Sequence, residues 1–390
     1  MLQNFAPSLL NRDDTGAPKD CDFGSVRRAR ISSQCLKRAV REYVRDNELI
    51  ASDNLAARSK RLVSTLAELV AEHGHDADEA VKVTEIALSG LSLSVDDGKT
   101  QYLLFLGQQE LQNLAQEIHN HWADVSNLVA SDDGDGKKKK TKKDAKATIP
   151  KELIKAMEAA LDGGKAVDLA LFGRMLADLP SKNRDAACQV AHALSTNAVS
   201  REFDFYTAVD DLQPEDTSGA DMLGTVEFNS ACYYRYAALD ISKLVENLQG
   251  DEALALHGLR AFIKASVYAL PSGKQNSFAA HNLPNFVAVT VRQDASPMNL
   301  ANAFEKPARG FADKSLSEKS LEQLADYWHT LNSLYGQGGN IYFFATHPAQ
   351  EDDKKDAHKT LKSMNATSVD NVDSLLEHTL SDVKDSLGVA

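Results

Sequence analysis

The apolar residues of this 390-residue chain change period part-way along, so one half must pack as helices and the other as sheet. Over residues 53–130 they recur every three to four positions. Leu55, Leu62, Leu66 and Leu69 make one stripe, and Leu111, Leu114, Ile118, Trp122 and Val125 make another, which predicts helices packed on one another. From Ser131 the segment SDDGDGKKKKTKKDAKAT offers almost nothing to bury and reads as a solvated loop. Pro150 then opens a further helix, with Leu153, Ile154, Met157 and Leu161 on one side. Beyond residue 225, β-branched and aromatic runs at 225–239, 285–291 and 340–346 predict strands. Amphipathic helices over about Asp251–Ala269 and Ser320–Tyr335 separate them, the second closed by Gly336. This alternation suits an α+β sheet of the ferredoxin-like kind.

Several function classes lack their residues. No run of about 18 apolar residues exists to span a membrane. The N-terminus lacks the basic flank and apolar centre of a signal peptide, so cytoplasmic residence is expected. Cys21, Cys35, Cys188 and Cys232 form no C-x-x-C pair, which argues against a zinc site or a disulfide framework. Gly98-Lys99-Thr100 and Gly163-Gly164-Lys165 both lack the full spacing of a phosphate-binding loop, and the dinucleotide, nucleophile-elbow and zinc-protease motifs are absent. His119 and His121, two apart on a helix, point in different directions and do not suit one metal; the pair His73 and His75 is no stronger. Asp13-Asp14, Asp96-Asp97 and Asp210-Asp211 sit in turn-like sequence, where aspartate bonds the backbone. No catalytic residue, metal or cofactor is expected.

The net charge of -13, taken whole, argues against a polyanionic partner. Its distribution argues the reverse. Residues 27–45 carry Arg27, Arg28, Arg30, Lys37, Arg38, Arg41 and Arg45 against the single acid Glu42. Ser32 or Ser33 can cap a helix that buries Leu36, Val40, Tyr43 and Val44 and turns Lys37, Arg38, Arg41 and Arg45 to solvent. A helix N-terminus with a basic face is a phosphate cradle. Lys274, Gln275 and Asn276 lie in a Gly- and Ser-flanked loop suited to RNA contacts or to a plain solvated turn. The cations Lys137, Lys138, Lys139, Lys140, Lys142, Lys143 and Lys146 suit nonspecific attraction of duplex DNA, with a solvated linker as the alternative.

The segments LNRDDTGAPKD at 10–20 and RRARISSQCLKRAVR at 27–41 resemble the CasC family, the backbone subunit of the type I-E CRISPR surveillance complex, Cascade. ALFGRM at 170–175, FYTAVDDL at 205–212, PSGKQNSFAAHN at 271–282 and NLANAFEKP at 299–307 extend the resemblance in family order.

The resemblance implies a hand-shaped protein with an RRM-like (ferredoxin-like) palm, a helical fingers insertion and a β-hairpin thumb. The palm would comprise 1–50, 170–195 and 231–346, the fingers 51–169 with the Lys-rich loop 131–147, the thumb 196–230, and a C-terminal segment 347–390. It implies a noncatalytic protein that polymerises along CRISPR RNA, beside further copies of itself and other Cascade subunits, and presents the guide to target DNA. Arg12, Arg27, Ser33, Gln34, Lys37 and Arg41 would hold guide phosphates and sugars, joined by Lys274 and Gln275, and Met175 would wedge beside a displaced base. Phe203 and Phe205, alternating with acids, and Val226 and Phe228 suit the thumb hairpin. Two departures stand out: no complete first strand is evident before Asn11, and the aromatic box of RNA-binding RRM sheets is absent. Two rival readings stay open, a metal-independent endoribonuclease and a purely structural filament. The first is weakened because no histidine sits beside the basic motif in sequence.

Overall fold

The computed structural model describes the chain except residues 92, 94, 97, 133–148, 209–221, 312, 337, 350–355 and 389–390. The Lys-rich segment expected to meet DNA, Lys137 to Lys146, and Asp210-Asp211 therefore lie outside the described residues. The fold is a mixed α+β one that divides into two compact units, residues 1–47, 190–238 and 259–390, and residues 48–189 and 239–258.

A nine-stranded sheet organises the first unit. Its strands are β1 (Leu2–Ser8), β2 (Asp20–Phe23), β3 (Val26–Ile31), β4 (Ala193–Ser195), β5 (Glu202–Ala208), β6 (Met222–Tyr234), β7 (Phe286–Val291), β8 (Asn340–Ala345) and β9 (Thr367–Ser368). They run in the order β9-β8-β7-β1-β6-β4-β3-β2, with β5 paired on the outer part of β6. All described pairings are antiparallel except that of β8 with β9.

β1 corrects the expectation that no complete first strand precedes Asn11. It lies between β6 and β7, with Leu2 opposite both Tyr234 and Phe286. Gln3, Asn4 and Pro7 are weak strand formers, which hid it. Its stability comes from tertiary partners. Gln3 is fully buried, donates to the Asn282 carbonyl at 2.6 Å and accepts from Arg235 Nη1 at 2.6 Å. Such a buried amide is tolerated only because both its ends are satisfied.

Helix α1 (Ser33–Asp46) packs Leu36 against Ile31 and Ala193, so one face of the sheet is covered there. Its Tyr43 stacks on Tyr268 of the helix Glu252–Tyr268, with ring centroids 6.2 Å apart. The long helix Leu316–Tyr335 begins at a Ser315/Glu318 capping box and ends at the left-handed Gly336, burying Leu321, Leu324 and Trp328. It joins Leu2, Phe286 and Phe343 in a second core.

The second unit is predominantly helical. Helices α2 (Leu62–Ala71), α3 (Ala77–Gly90) and α4 (Gln108–Asn120), with Lys151–Ala160, bury Leu66, Val70, Leu88, Leu114, Ile118, Leu153 and Met157 in one core. A short pair, Ala56–Ser59 with Leu104–Gly107, flanks it. No described helix is long and apolar enough to cross a membrane.

Candidate nucleic-acid interface

Three connected segments build the candidate site at one end of the sheet unit. The first is the loop that follows β1. Asp13 accepts from the Thr15 amide and hydroxyl and from the Ala17 amide, which fixes a turn and holds its carboxyl below the usual range. Arg12, exposed, projects from this turn, across the bridge it makes with Pro18. The preceding Asn11 accepts from the Ser32 amide through Oδ1 at 2.9 Å, so the loop is tied to the start of α1.

That helix start is the second segment. Ser32 is the cap, accepting from the Cys35 amide at 3.4 Å, and no acid occupies the first turn. Gln34, Lys37 and Arg41 follow at three- and four-residue intervals and share a face. Gln34 is exposed; Ser33, Lys37 and Arg41 are half-buried. Arg38 pairs with Glu42 at 2.7 Å.

The third segment is the loop 271–282. Gly273 lies so close to the Leu9 and Leu10 carbonyls that an added Cβ would fall 2.4–2.6 Å from them, which places the loop beside the start of the Arg12 segment. Lys274 and Ala279 are both left-handed and bracket the short helical turn Gln275–Phe278. Lys274 is exposed, whereas the Gln275 amide donates to Pro271 and Ala280 and so fastens its own loop. Phe278 packs on Phe228, 5.5 Å between centroids, at the root of the β5–β6 hairpin.

The remaining basic residues separate into different roles. Arg27 is half-exposed beside Asp20 and Asp22, at 3.4 and 3.7 Å; the Asp22 pair is exposed and a phosphate can replace it at small cost, whereas Asp20 is largely buried and also bound by Arg201. Arg28 belongs to the interior. It donates to the carbonyls of Phe23, Ser195, Thr196, Phe304 and Glu305 and is fully buried, so the basic cluster presents one cation fewer than its sequence suggests. Arg30 contacts His192, with Nη1 and Nδ1 3.1 Å apart. Sequence reading passed over that histidine because strand pairing, not proximity along the chain, brings it to the basic motif; the alternation Ala191, His192, Ala193, Leu194, Ser195 was the available signal.

Met175 lies in the second unit. Gly173 adopts φ +75°, and a Cβ there would meet the Arg184 carbonyl at 2.8 Å; Arg174 turns inward and Met175 outward, 81% exposed. A methionine filling a core gap is therefore excluded at this position. On the hairpin, Phe203 pairs with Glu227 and Phe205 with Thr225, leaving the two rings and Leu223 exposed on one face, at 67%, 64% and 64%.

Among the described residues, no group of three or more His, Cys, Asp and Glu is placed to hold a metal ion. As their directions suggested, His119 and His121 part company. His119 Nδ1 lies 2.8 Å from His75 Nε2, while His121 contacts the Glu117 carbonyl.

A family model described as CT1975-like protein matches residues 1–373. The chain belongs to the CT1975-like protein family. This family member is similar to a chain of a solved structure described as "CRISPR RNA-guided surveillance complex, pre-nicking", with 28% identity, a TM-score of 0.82 and 98% of each chain covered. A chain of a "CRISPR RNA-guided surveillance complex" shares its fold at 23% identity, a TM-score of 0.71 and the same coverage. No curated protein matches this CT1975-like chain.

Proposed function

We propose that the chain is a noncatalytic, CRISPR RNA-binding backbone subunit of a Cascade surveillance complex of type I-E, polymerising along the guide and presenting it to target DNA. The observation that carries this reading is the convergence of Arg12, the Ser32-capped start of α1 with its Gln34–Lys37–Arg41 face, and the Lys274 loop, joined through Asn11 and Gly273. Backbone amides and cations at a helix start suit phosphate and sugar, not base edges, which fits a protein that must accept any guide sequence. Likeness over 98% of both chains to a member of an RNA-guided complex supports the same role.

The sheet order supports an RRM-like palm. Chain order β1, α1, β4, β6, Glu252–Tyr268, β7 gives the spatial order β7-β1-β6-β4, all antiparallel, which is the ferredoxin-like arrangement. On this reading β5–β6 is the thumb, and its exposed Phe203, Phe205 and Leu223 meet a neighbouring copy; the helical unit supplies the fingers, and Met175 is the wedge.

The test is to purify the chain and ask what comes with it. RNA of unrelated sequences should copurify, and RNase should disperse the assembly. Assembly of equal length after complete nuclease treatment would favour the structural-filament reading, and multiple-turnover cleavage of repeat RNA the nuclease one.

A further inference from the structure

The tautomer of His192 is fixed by its neighbour. Arg30 Nη1 lies 3.1 Å from His192 Nδ1, and a guanidinium can only donate. Nδ1 therefore accepts, the proton sits on Nε2, and the exposed ring carries an N–H donor on its far side. Arg30 is itself held, since its Nε donates to the Asp20 carbonyl at 3.2 Å and its amide to the Lys19 carbonyl at 2.9 Å.

Strand parity puts these groups together. Arg30 pairs with Leu194, two residues from His192, while Ile31 pairs with Ala193 on the face that α1 covers. Arg30 and His192 thus share the opposite face of the sheet. The charged groups acting on His192 are Arg30 and Lys19, both cations. Cys21 is also near Arg30, with its thiol pushed up by burial and so neutral. The acids of the neighbouring strand β2, Asp20 and Asp22, both face Arg27, and Asp20 also binds Arg201 at 2.6 Å.

We propose that Arg30 and His192, with Lys19 beside them, form an anion clamp for a backbone phosphodiester, in which RNA binding takes up one proton at His192. The identity of the anion rests on the RNA-binding reading above. In the free chain, burial first and then the two cations hold the imidazole below its ordinary 6.5, so it is neutral at pH 7. A phosphodiester reverses the sign of the local field. The proton comes from solvent onto Nδ1, the Arg30 contact breaks, and Arg30 Nη1 and one N–H of the imidazolium become donors to the phosphate. By linkage, affinity rises as pH falls between the bound-state and free-state pKa values, by up to about tenfold per pH unit for one proton.

Two measurements on the full chain test this. RNA affinity and calorimetric proton uptake are measured from pH 8 to pH 5.5 for the native protein and for His192→Gln, whose amide still offers a donor and an acceptor but cannot titrate. The clamp requires uptake that peaks between the free-state and bound-state pKa values of His192 and vanishes in the variant; equal uptake in both, or none in the native protein, overturns it. Separately, NMR titration of the His192 ring is run with and without tripolyphosphate, which should raise its pKa; an unmoved pKa also overturns the clamp. A raised pKa with no RNA binding at any pH would keep the anion site and sink the RNA-binding function.

Discussion

Arg174 and Glu110 form a fully buried ion pair, with Nη1 2.7 and 2.8 Å from the two carboxylate oxygens. Glu110 also accepts from the Gly107 and Gly163 amides, and Arg174 also donates to the Lys182 carbonyl. With both charges satisfied, the pair fixes the turn from which Met175 projects.

Removing one partner should therefore cost more than removing both. Arg174→Ala strands a buried carboxylate and is expected to destabilise the helical unit by about 3–5 kcal/mol, while Arg174→Met with Glu110→Gln recovers part of the loss. Denaturant titration of the two variants checks the order.

Neutralising Lys37 and Arg41 should weaken RNA binding to a similar degree for unrelated guides. The dependence of log affinity on log salt should flatten by roughly 0.7 per lost phosphate contact. Binding isotherms at several salt concentrations read both, and a loss that varied strongly with guide sequence would sink the backbone-contact account.

Phe203→Ser with Phe205→Ser removes two exposed rings. Stability should change by no more than about 0.5 kcal/mol per site, whereas the number of copies bound along a long RNA should fall. Thermal melting and sedimentation separate the two effects.

Acid should loosen the helical unit through its histidines. His73 and His119 stack 4.5 Å apart, His75 bonds His119, and His75 stacks on Trp122 at 3.7 Å. Burial first, then His119 and His73, lower the His75 pKa, with Glu79 opposing. A base with a depressed folded pKa contributes stability that is full above its unfolded value near 6.5 and lost as pH falls through the folded one. The melting temperature should drop below pH 6.5, and less so in His119→Gln.

Gly24→Ala should damage the sheet unit. Gly24 has φ +61°, and a Cβ there would lie 1.9 Å from the Glu305 carbonyl, one of the oxygens that Arg28 binds. A loss above about 1 kcal/mol is expected, visible as a lowered denaturant midpoint.

Where local chemistry decides structure, the sequence was readable. The cap, at Ser32 rather than Ser33, the Leu36–Val40–Val44 stripe, with Tyr43 only half-buried, and the Gly336 stop stand where spacing allowed them. Residues whose partners lie far along the chain were not. Gln3 and Arg235 bond across 232 positions, and Arg28 reaches Phe304 across 276, so a polar strand and a cation in a basic run both conceal interior roles. At the candidate site, the helix face was legible from one segment. The contact of Arg30 with His192 required the pairing of β3 with β4.

The central position of β1 also sets a timetable. Its two neighbours are made of residues 222–234 and 286–291, so β1 waits for its second partner until residue 291 has been made. At about 5–20 residues per second, that delay is roughly 15–60 s. During translation, the segment bearing Arg12 and the start of α1 leaves the ribosome without its sheet, and the candidate nucleic-acid surface closes only when β7 arrives. Completion of the candidate surface is thus a late event in the folding of each molecule, long after its own residues have been made.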